Sequence, residues 1–261
     1  MKTVAVWLAI AVALAGCAKA PRLPAAESPP TPTASSQSGP VVDATPGAPP
    51  TPTPSSPSPG GSVAPDPAPT AAKPPEDTRS GAGLDVPYQV NGIIVVSPKH
   101  PISKKYVPEL AKSGGLTPEA KKALDKMTKA AKADGITVKI RSSYRSYAEQ
   151  AELLKRKIVE YGDEAKARRY NAEAGKSEHQ TGLAVDLWDG RTWGDAIRNT
   201  KLGKWLWKHS REYGFILRYP PGKEKITGYI YEAWHFRYIG ADSRKFKPND
   251  KMTLEEYLGI A

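Results

Sequence analysis

The sequence predicts an α+β domain, a small, mostly antiparallel sheet with flanking helices, behind a long N-terminal stretch that has little to bury. Three observations carry this. Helix and strand signals are mixed without the regular alternation that a parallel α/β fold would show. The strand candidates are short, as in Phe215-Ile216-Leu217. Helical and strand periodicity falls within residues 84–261, roughly 180 residues, enough for one domain with a real core and without an internal repeat.

The chain begins Met1-Lys2-Thr3, continues with an apolar run from Val4 to Leu14, and reaches Ala15-Gly16-Cys17. A short positive region, an apolar core and small residues at a cut site make up an export signal. The run is too short to span a bilayer as a stable helix. Leu14-Ala15-Gly16-Cys17 resembles a bacterial lipobox, in which Cys17 receives a diacylglycerol and becomes the first residue of the mature protein. Cys17 is the only cysteine, so no intramolecular disulfide can form. Two acyl chains are the number that stable membrane attachment requires.

From residue 18 to 83 the chain holds 18 of its 26 prolines, mixed with Ser, Thr, Ala and Gly. Such a segment is expected to be disordered yet extended, with an upper reach on the order of 200 Å at about 3.1 Å per residue. The expected organisation is therefore a signal with its lipidated cysteine at 1–17, a tether at 18–83 and one folded domain at 84–261.

Within that domain, Thr117-Pro118-Glu119 opens a helix with an N-cap and a first-turn proline. Leu124, Met127 and Ala131 recur at helical spacing, and Gly135 ends it. Ile136 to Ile140 alternates like a strand. Ser146-Tyr147-Ala148-Glu149 is a capping box starting a second helix, with Gln150, Leu153, Leu154 and Ile158 on its inner face and Gly162 at its end. Leu183 to Trp188 reads as a strand, and Leu202 to Tyr213 as a third helix stopped by Gly214. Phe215-Ile216-Leu217 and Trp234 to Tyr238 read as further strands, and Thr253-Leu254-Glu255-Glu256 caps a last short helix.

The net charge of +11 belongs wholly to residues 84–261, since residues 1–83 hold five basic and five acidic side chains. A basic domain outside the membrane suits an anionic neighbour, either wall polymer or lipid headgroups. Export argues against nucleic acid, the usual partner of excess Lys and Arg. Lys121, Lys122, Lys126, Lys129 and Lys132 also fit a plain solvated helix face.

The most informative polar pattern is Ser177-Glu178-His179-Gln180-Thr181-Gly182-Leu183-Ala184-Val185-Asp186, completed by Glu232-Ala233-Trp234-His235. Two histidines and an aspartate suit one zinc ion that keeps a fourth position open for water, and favour it over magnesium or calcium. A glutamate three residues before the second histidine is a ready general base. On a straight strand His179 and Asp186 would lie more than about 20 Å apart on opposite faces, so Gly182 is expected to turn the chain between them. Asp186 sits among apolar neighbours, where a carboxylate is costly unless it meets a cation. Plain strand geometry would aim Glu232 and His235 at opposite faces, which predicts a bulge or bend near Ala233. His100 and His209 lack such company and read as structural or surface residues.

The first segment resembles the S-x-H-x-x-G-x-A-x-D signature of the VanY-like D-alanyl-D-alanine carboxypeptidases. Glu232-Ala233-Trp234-His235 is similar to that family's E-x-W-H block, and Tyr144-Arg145-Ser146 with Gln150 to its Y-R-S-x-x-x-Q block. Ile94-Val95-Val96 through His100-Pro101 and Tyr106-Val107-Pro108 resembles its N-terminal lead-in, so the match spans roughly residues 92–240. The resemblance implies a LAS-type zinc peptidase fold with ligands His179, Asp186 and His235 and the base Glu232. It further implies that Arg145 stabilises the oxyanion or holds substrate, and that Ser177 and Gln150 line the peptide pocket. Ser143 stands where the family commonly has glycine, and Ala174 where a proline is frequent; neither change removes a ligand or the base. The implied activity is zinc-dependent removal of the terminal D-alanine from peptidoglycan stem peptides, across a D,D or an L,D bond. An endopeptidase of the same chemistry and a lipid-tethered, non-catalytic wall-binding module stay open as alternatives.

Overall fold

The computed structural model describes residues 74–261. Cys17, the expected signal and the expected tether up to residue 73 lie outside the described residues. Residues 74–83 belong with the folded part rather than with a tether. Asp77 contacts His100 Nδ1 at 2.8 Å, Arg79 donates to the Pro101 carbonyl at 3.2 Å, and Tyr88 donates to the Pro75 carbonyl.

Strands β1 (Tyr88–Val90) and β2 (Ile93–Val95) form an antiparallel hairpin that is not among the expected elements. Its turn is Asn91-Gly92, both at positive φ (52° and 79°), the pair that a two-residue hairpin turn favours. Helix α1 (Pro118–Ala133) begins as expected, with Thr117 capping the Ala120 amide. Ala120, Leu124, Met127 and Ala131 are its buried stripe, and truncating Leu124 or Met127 to alanine is expected to cost about 2–5 kcal/mol.

Strand β3 runs from Lys139 to Ser142, three residues later than the alternation at Ile136–Ile140 suggests. Ile136 and Val138 do pack against the core, but from the irregular segment after Gly135, and the pairing with the next strand starts only at Lys139↔Trp188. Helix α2 (Tyr147–Tyr161) has the expected capping box, and Gly162 ends it in the left-handed conformation. Helix α3 (Glu164–Tyr170) follows at once, capped by Asp163, and was not foreseen. Strand β4 is Ala184–Trp188, and helix α4 is Lys201–His209. The expected continuation to Tyr213 is a separate 3-10 turn, Ser210–Tyr213, closed by Gly214 at φ 92°. Strand β5 (Phe215–Leu217), the short helix α5 (Glu224–Thr227), strand β6 (His235–Tyr238) and helix α6 (Leu254–Leu258, capped by Thr253) complete the chain.

The main sheet is antiparallel throughout, in the order β3-β4-β6-β5. Its two faces do different work. Val185, Leu187, Phe215, Leu217 and Phe236 point into the core with the stripes of α1 and α4. Because strand side chains alternate, Asp186, His235 and Arg237 are turned to the opposite face. On that side Ile216 joins a second core with the β1–β2 hairpin and α6.

Candidate metal centre and active-site cleft

Gly182 supplies the turn that the spacing of His179 and Asp186 demands. It stands at φ 67° at the end of a 3-10 helix, Glu178–Thr181, whose N-cap is Ser177. Its carbonyl accepts from the Thr117 amide at 2.9 Å, which ties the turn to the start of α1. Asp186 and His235 meet across the sheet as register partners of β4 and β6. The expected change of direction near Ala233 is a turn, with the His235 amide donating to the Glu232 carbonyl at 3.3 Å, so β6 begins only at His235. The bulge lies instead in β3, where the register shifts between Ile140 and Ser142.

The three side chains converge. His179 Nε2 lies 3.3 Å from Asp186 Oδ2 and His235 Nδ1 lies 3.0 Å from Asp186 Oδ1. One donor atom from each of the three falls within 4.8 Å of the others, and all three residues are buried. Tetrahedral ligands at bond lengths of about 2.1 Å are separated by about 3.4 Å, so this donor set fits a single zinc ion. Glu232 stands beside it, with Oε2 3.7 Å from His235 Nδ1 and no hydrogen bond to another side chain among the described residues.

Electrostatics agree with a site built for a cation. Burial pushes the Glu232 carboxyl up to about 8, against the pull of His235, and the Asp186 charge adds to the rise. Burial disfavours a charged His235, yet the neighbouring carboxylates of Asp186 and Glu178 outweigh it and raise its pKa to about 9. Burial pulls His179 down. Asp186 is held well below the usual carboxylate range by the two imidazoles, although burial opposes this. Asp186 thus stays an anion and draws positive charge to itself, whether a proton or a metal ion.

The cluster opens into a cleft of about 490 Å³ lined by Arg145, Ser177, Tyr219, Glu232 and Trp234 together with His179, Asp186 and His235. Arg145 is held by two side chains, donating to Gln150 Oε1 at 2.6 Å and to Ser142 Oγ at 2.7 Å. Burial lowers its pKa, and the charges of Asp186 and Glu232 oppose that. Gln150 uses both ends of its amide on the protein, since its Nε2 donates to the Ala172 carbonyl at 2.6 Å. It is part of the cleft lining, as expected, and it also fixes Arg145. Ser177 borders the cleft, but its Oγ accepts from the His179 amide at 3.4 Å. His179 Nδ1 meets the Ser143 carbonyl at 2.6 Å, a backbone contact that serine in place of glycine leaves intact. His100 stacks on Tyr88, and His209 pairs with Glu212; neither is part of the cleft lining.

Sequence reasoning missed the buried residues behind the ligands. Glu178, Arg218, Arg237 and Glu255 form an ion-paired network beneath His235. No local pattern joins residues so far apart in sequence.

Two imidazoles and a carboxylate in a buried cluster, flanked by a free glutamate and a clamped arginine, define a mononuclear metal-dependent hydrolase centre. The sequence matches the VanY family, D-alanyl-D-alanine carboxypeptidase, over residues 114–241. It is 34% identical over 182 residues to the bifunctional D-Ala-D-Ala dipeptidase and D-Ala-D-Ala carboxypeptidase VanXYC of Enterococcus gallinarum, covering 64% of this chain and 94% of that one. The fold is similar to that of the LdcB LD-carboxypeptidase, with a TM-score of 0.56, 40% identity, and 64% and 86% of the two chains covered. It is also similar to a mutant of the vancomycin resistance D,D-pentapeptidase VanY in complex with Zn(II), with a TM-score of 0.56, 35% identity, and 63% and 97% covered. This chain belongs to the VanY D-alanyl-D-alanine carboxypeptidase family. It spans 52% and 65% of the length of two further curated relatives.

Proposed function

We propose that this protein is a zinc-dependent carboxypeptidase that removes the C-terminal D-alanine from peptidoglycan stem peptides. The convergence of His179, Asp186 and His235 beside Glu232 and Arg145 in one cleft carries this reading. It is supported by relatives that include an LD-carboxypeptidase and a D,D-pentapeptidase holding Zn(II).

His179, Asp186 and His235 would hold the ion. When bound, zinc supplies a water of lowered pKa and a polarised scissile carbonyl. Glu232 accepts the proton of the attacking water and returns it to the leaving amine, a role that suits a buried carboxylate with an elevated pKa. Arg145 keeps N–H donors beyond those given to Gln150 and Ser142, and directs them at the developing oxyanion or at the substrate's terminal carboxylate. Being pre-positioned, those donors need not reorganise as charge develops. Ser177 lines the same wall.

Purified full-length protein incubated with defined stem tetrapeptides and pentapeptides tests this by product mass. D-Alanine released from the tetrapeptide assigns an L,D bond, and release from the pentapeptide alone assigns a D,D bond. Release should stop on chelation and return with zinc. Cleavage only inside the peptide or a crosslink would replace the reading with an endopeptidase, and no cleavage by zinc-loaded protein would overturn it.

We further propose that Cys17 carries a lipid that holds the domain on the outer side of a bacterial membrane, facing the cell wall. The sequence Leu14-Ala15-Gly16-Cys17 behind a short apolar run supports this, and the basic charge of residues 84–261 suits anionic wall polymers. Cys17→Ser should move the protein from the membrane fraction to the soluble one; unchanged partitioning would sink the anchor.

A further inference from the structure

Beneath His235 lies a carboxylate that the chemistry above does not use. The Glu178 side chain is fully buried. Its Oε1 accepts from Arg218 Nε and from Arg237 Nη1, both at 2.7 Å. Arg218 is held from its other side by Glu255, through Nη1 at 2.9 Å and Nη2 at 2.6 Å. Arg237 also donates to the carbonyls of Ile94 and Tyr238.

The uneven use of the two Glu178 oxygens is the informative feature. A glutamate that served only to neutralise two arginines would be expected to share both oxygens between them, as Glu255 does for the two ends of Arg218. Here both arginines fall on Oε1. Glu178 Oε2 is buried without a hydrogen-bond partner, and so is His235 Nε2. These two atoms face each other at 3.5 Å. Buried polar groups are rarely left unpaired, and a shift of a few tenths of an ångström would join this pair.

The arrangement has a counterpart on the other imidazole. His179 turns Nε2 to Asp186 and gives Nδ1 to the Ser143 carbonyl. His235 turns Nδ1 to Asp186, and its remaining nitrogen meets Glu178. Each ring thus has one nitrogen toward the cluster and an oxygen acceptor behind the other.

We propose that Glu178 is a positioning residue whose arginine-clamped carboxylate accepts the Nε2–H of His235 and so fixes the tautomer and ring plane that aim Nδ1 at the metal. The inference rests on the reading of His179, Asp186 and His235 as a zinc centre. It gives Arg218 and Arg237 a task as well: they hold Glu178 in place, while Glu255 neutralises Arg218 from its far side.

Two variants and one spectroscopic measurement test it in the full-length protein. In Glu178→Gln the two arginines, which only donate, keep the amide oxygen, so an NH2 group that cannot accept is turned toward His235 Nε2. It should weaken zinc binding about 10- to 100-fold in competition with a chelating indicator. Glu255→Gln disturbs the same buried arginines without touching His235. It should lower the unfolding temperature while zinc affinity stays within about twofold, well inside the effect of losing an outer-shell partner. In zinc-loaded wild type, imidazole 15N NMR should find the His235 proton on Nε2 and slow to exchange. Equal zinc affinity in Glu178→Gln and wild type overturns the proposal, as does a His235 proton on Nδ1 or one that exchanges freely. The wild-type spectrum decides alone if Glu178→Gln does not fold. Wild-type protein that binds no zinc would instead remove the metal centre on which the proposal stands.

Discussion

Asp186 and His235 are register partners in the antiparallel β4–β6 pair, and their facing atoms, Oδ1 and Nδ1, lie 3.0 Å apart. The ladder that builds the sheet therefore also sets the spacing of two of the proposed metal ligands. Their alternate neighbours Val185, Leu187 and Phe236 anchor the same strands in the core, so the pair cannot slip without turning those side chains out of it. The third proposed ligand, His179, has no such ladder and depends on a turn.

That turn makes Gly182 the sensitive point of the metal site. A side chain at φ 67° is strained, and a Cβ there would come within 2.7 Å of Leu110 Cδ2. Gly182→Ala should destabilise the protein by about 1–3 kcal/mol. It should also weaken zinc binding, because the turn sets His179 against Asp186. Thermal unfolding with zinc and with chelator checks both effects. An unchanged midpoint in chelator would mean that the turn tolerates a side chain.

Gln150 is expected to matter through Arg145. Gln150→Ala removes one of the two side-chain acceptors of the guanidinium, and kcat/KM on a stem peptide should fall about 10- to 100-fold from the misplaced donors. Zinc content should stay at that of wild type. Gln150→Glu keeps the acceptor for Arg145 but sets an oxygen against the Ala172 carbonyl, so it should recover only part of the loss. Full activity in Gln150→Ala would show that Ser142 alone holds Arg145.

Much of this site is legible in the sequence because its key signals are local. Ser146 and Glu149 cap α2 as their spacing predicts, and Gly182 turns the chain as the seven-residue gap between His179 and Asp186 requires. Asn91-Gly92 and Asp163 carried equally local signals for the hairpin and for α3. The start of β3 was less accessible: Ile136 and Val138 alternate like a strand but pack from an irregular segment, and only pairing with Trp188 shows where the ladder begins. The Glu178 network was not legible at all. A Ser-Glu-His tripeptide looks solvated until tertiary structure brings Arg218, Arg237 and Glu255 to it.

Asp77 predicts how the N-terminal edge of the described fold responds to acid. Its carboxylate is held below its ordinary range, first by the Arg79 side chain, against the cost of burial and with the help of His100. A depressed carboxylate stabilises the fold above its unfolded pKa of about 3.9, and that contribution is lost as pH falls through the lower folded value. Asp77→Asn should therefore lower the unfolding midpoint at pH 7, by an amount corresponding to roughly 1–2 kcal/mol. The gap between variant and wild type should narrow below about pH 4 and close once wild-type Asp77 is also protonated. Melting curves across that range check the sign, and a gap that widens in acid would contradict the pairing with Arg79 and His100.

Glu232 is the residue whose loss should separate chemistry from metal binding. Its carboxylate approaches His235 Nδ1 at 3.7 Å but lies outside the His179, Asp186 and His235 donor group. Glu232→Ala should keep one zinc per chain. It should also keep the fold, since removing a buried carboxylate that has no hydrogen bond to another side chain relieves a desolvation cost. Hydrolysis should fall by about 10²- to 10⁴-fold in kcat, the range for losing a positioned general base. KM should change little, because Arg145 and the rest of the cleft remain. Metal analysis and D-alanine release on the same preparation read the two quantities together. Unchanged release would take the base away from Glu232, whereas loss of zinc along with activity would make it part of the metal's support.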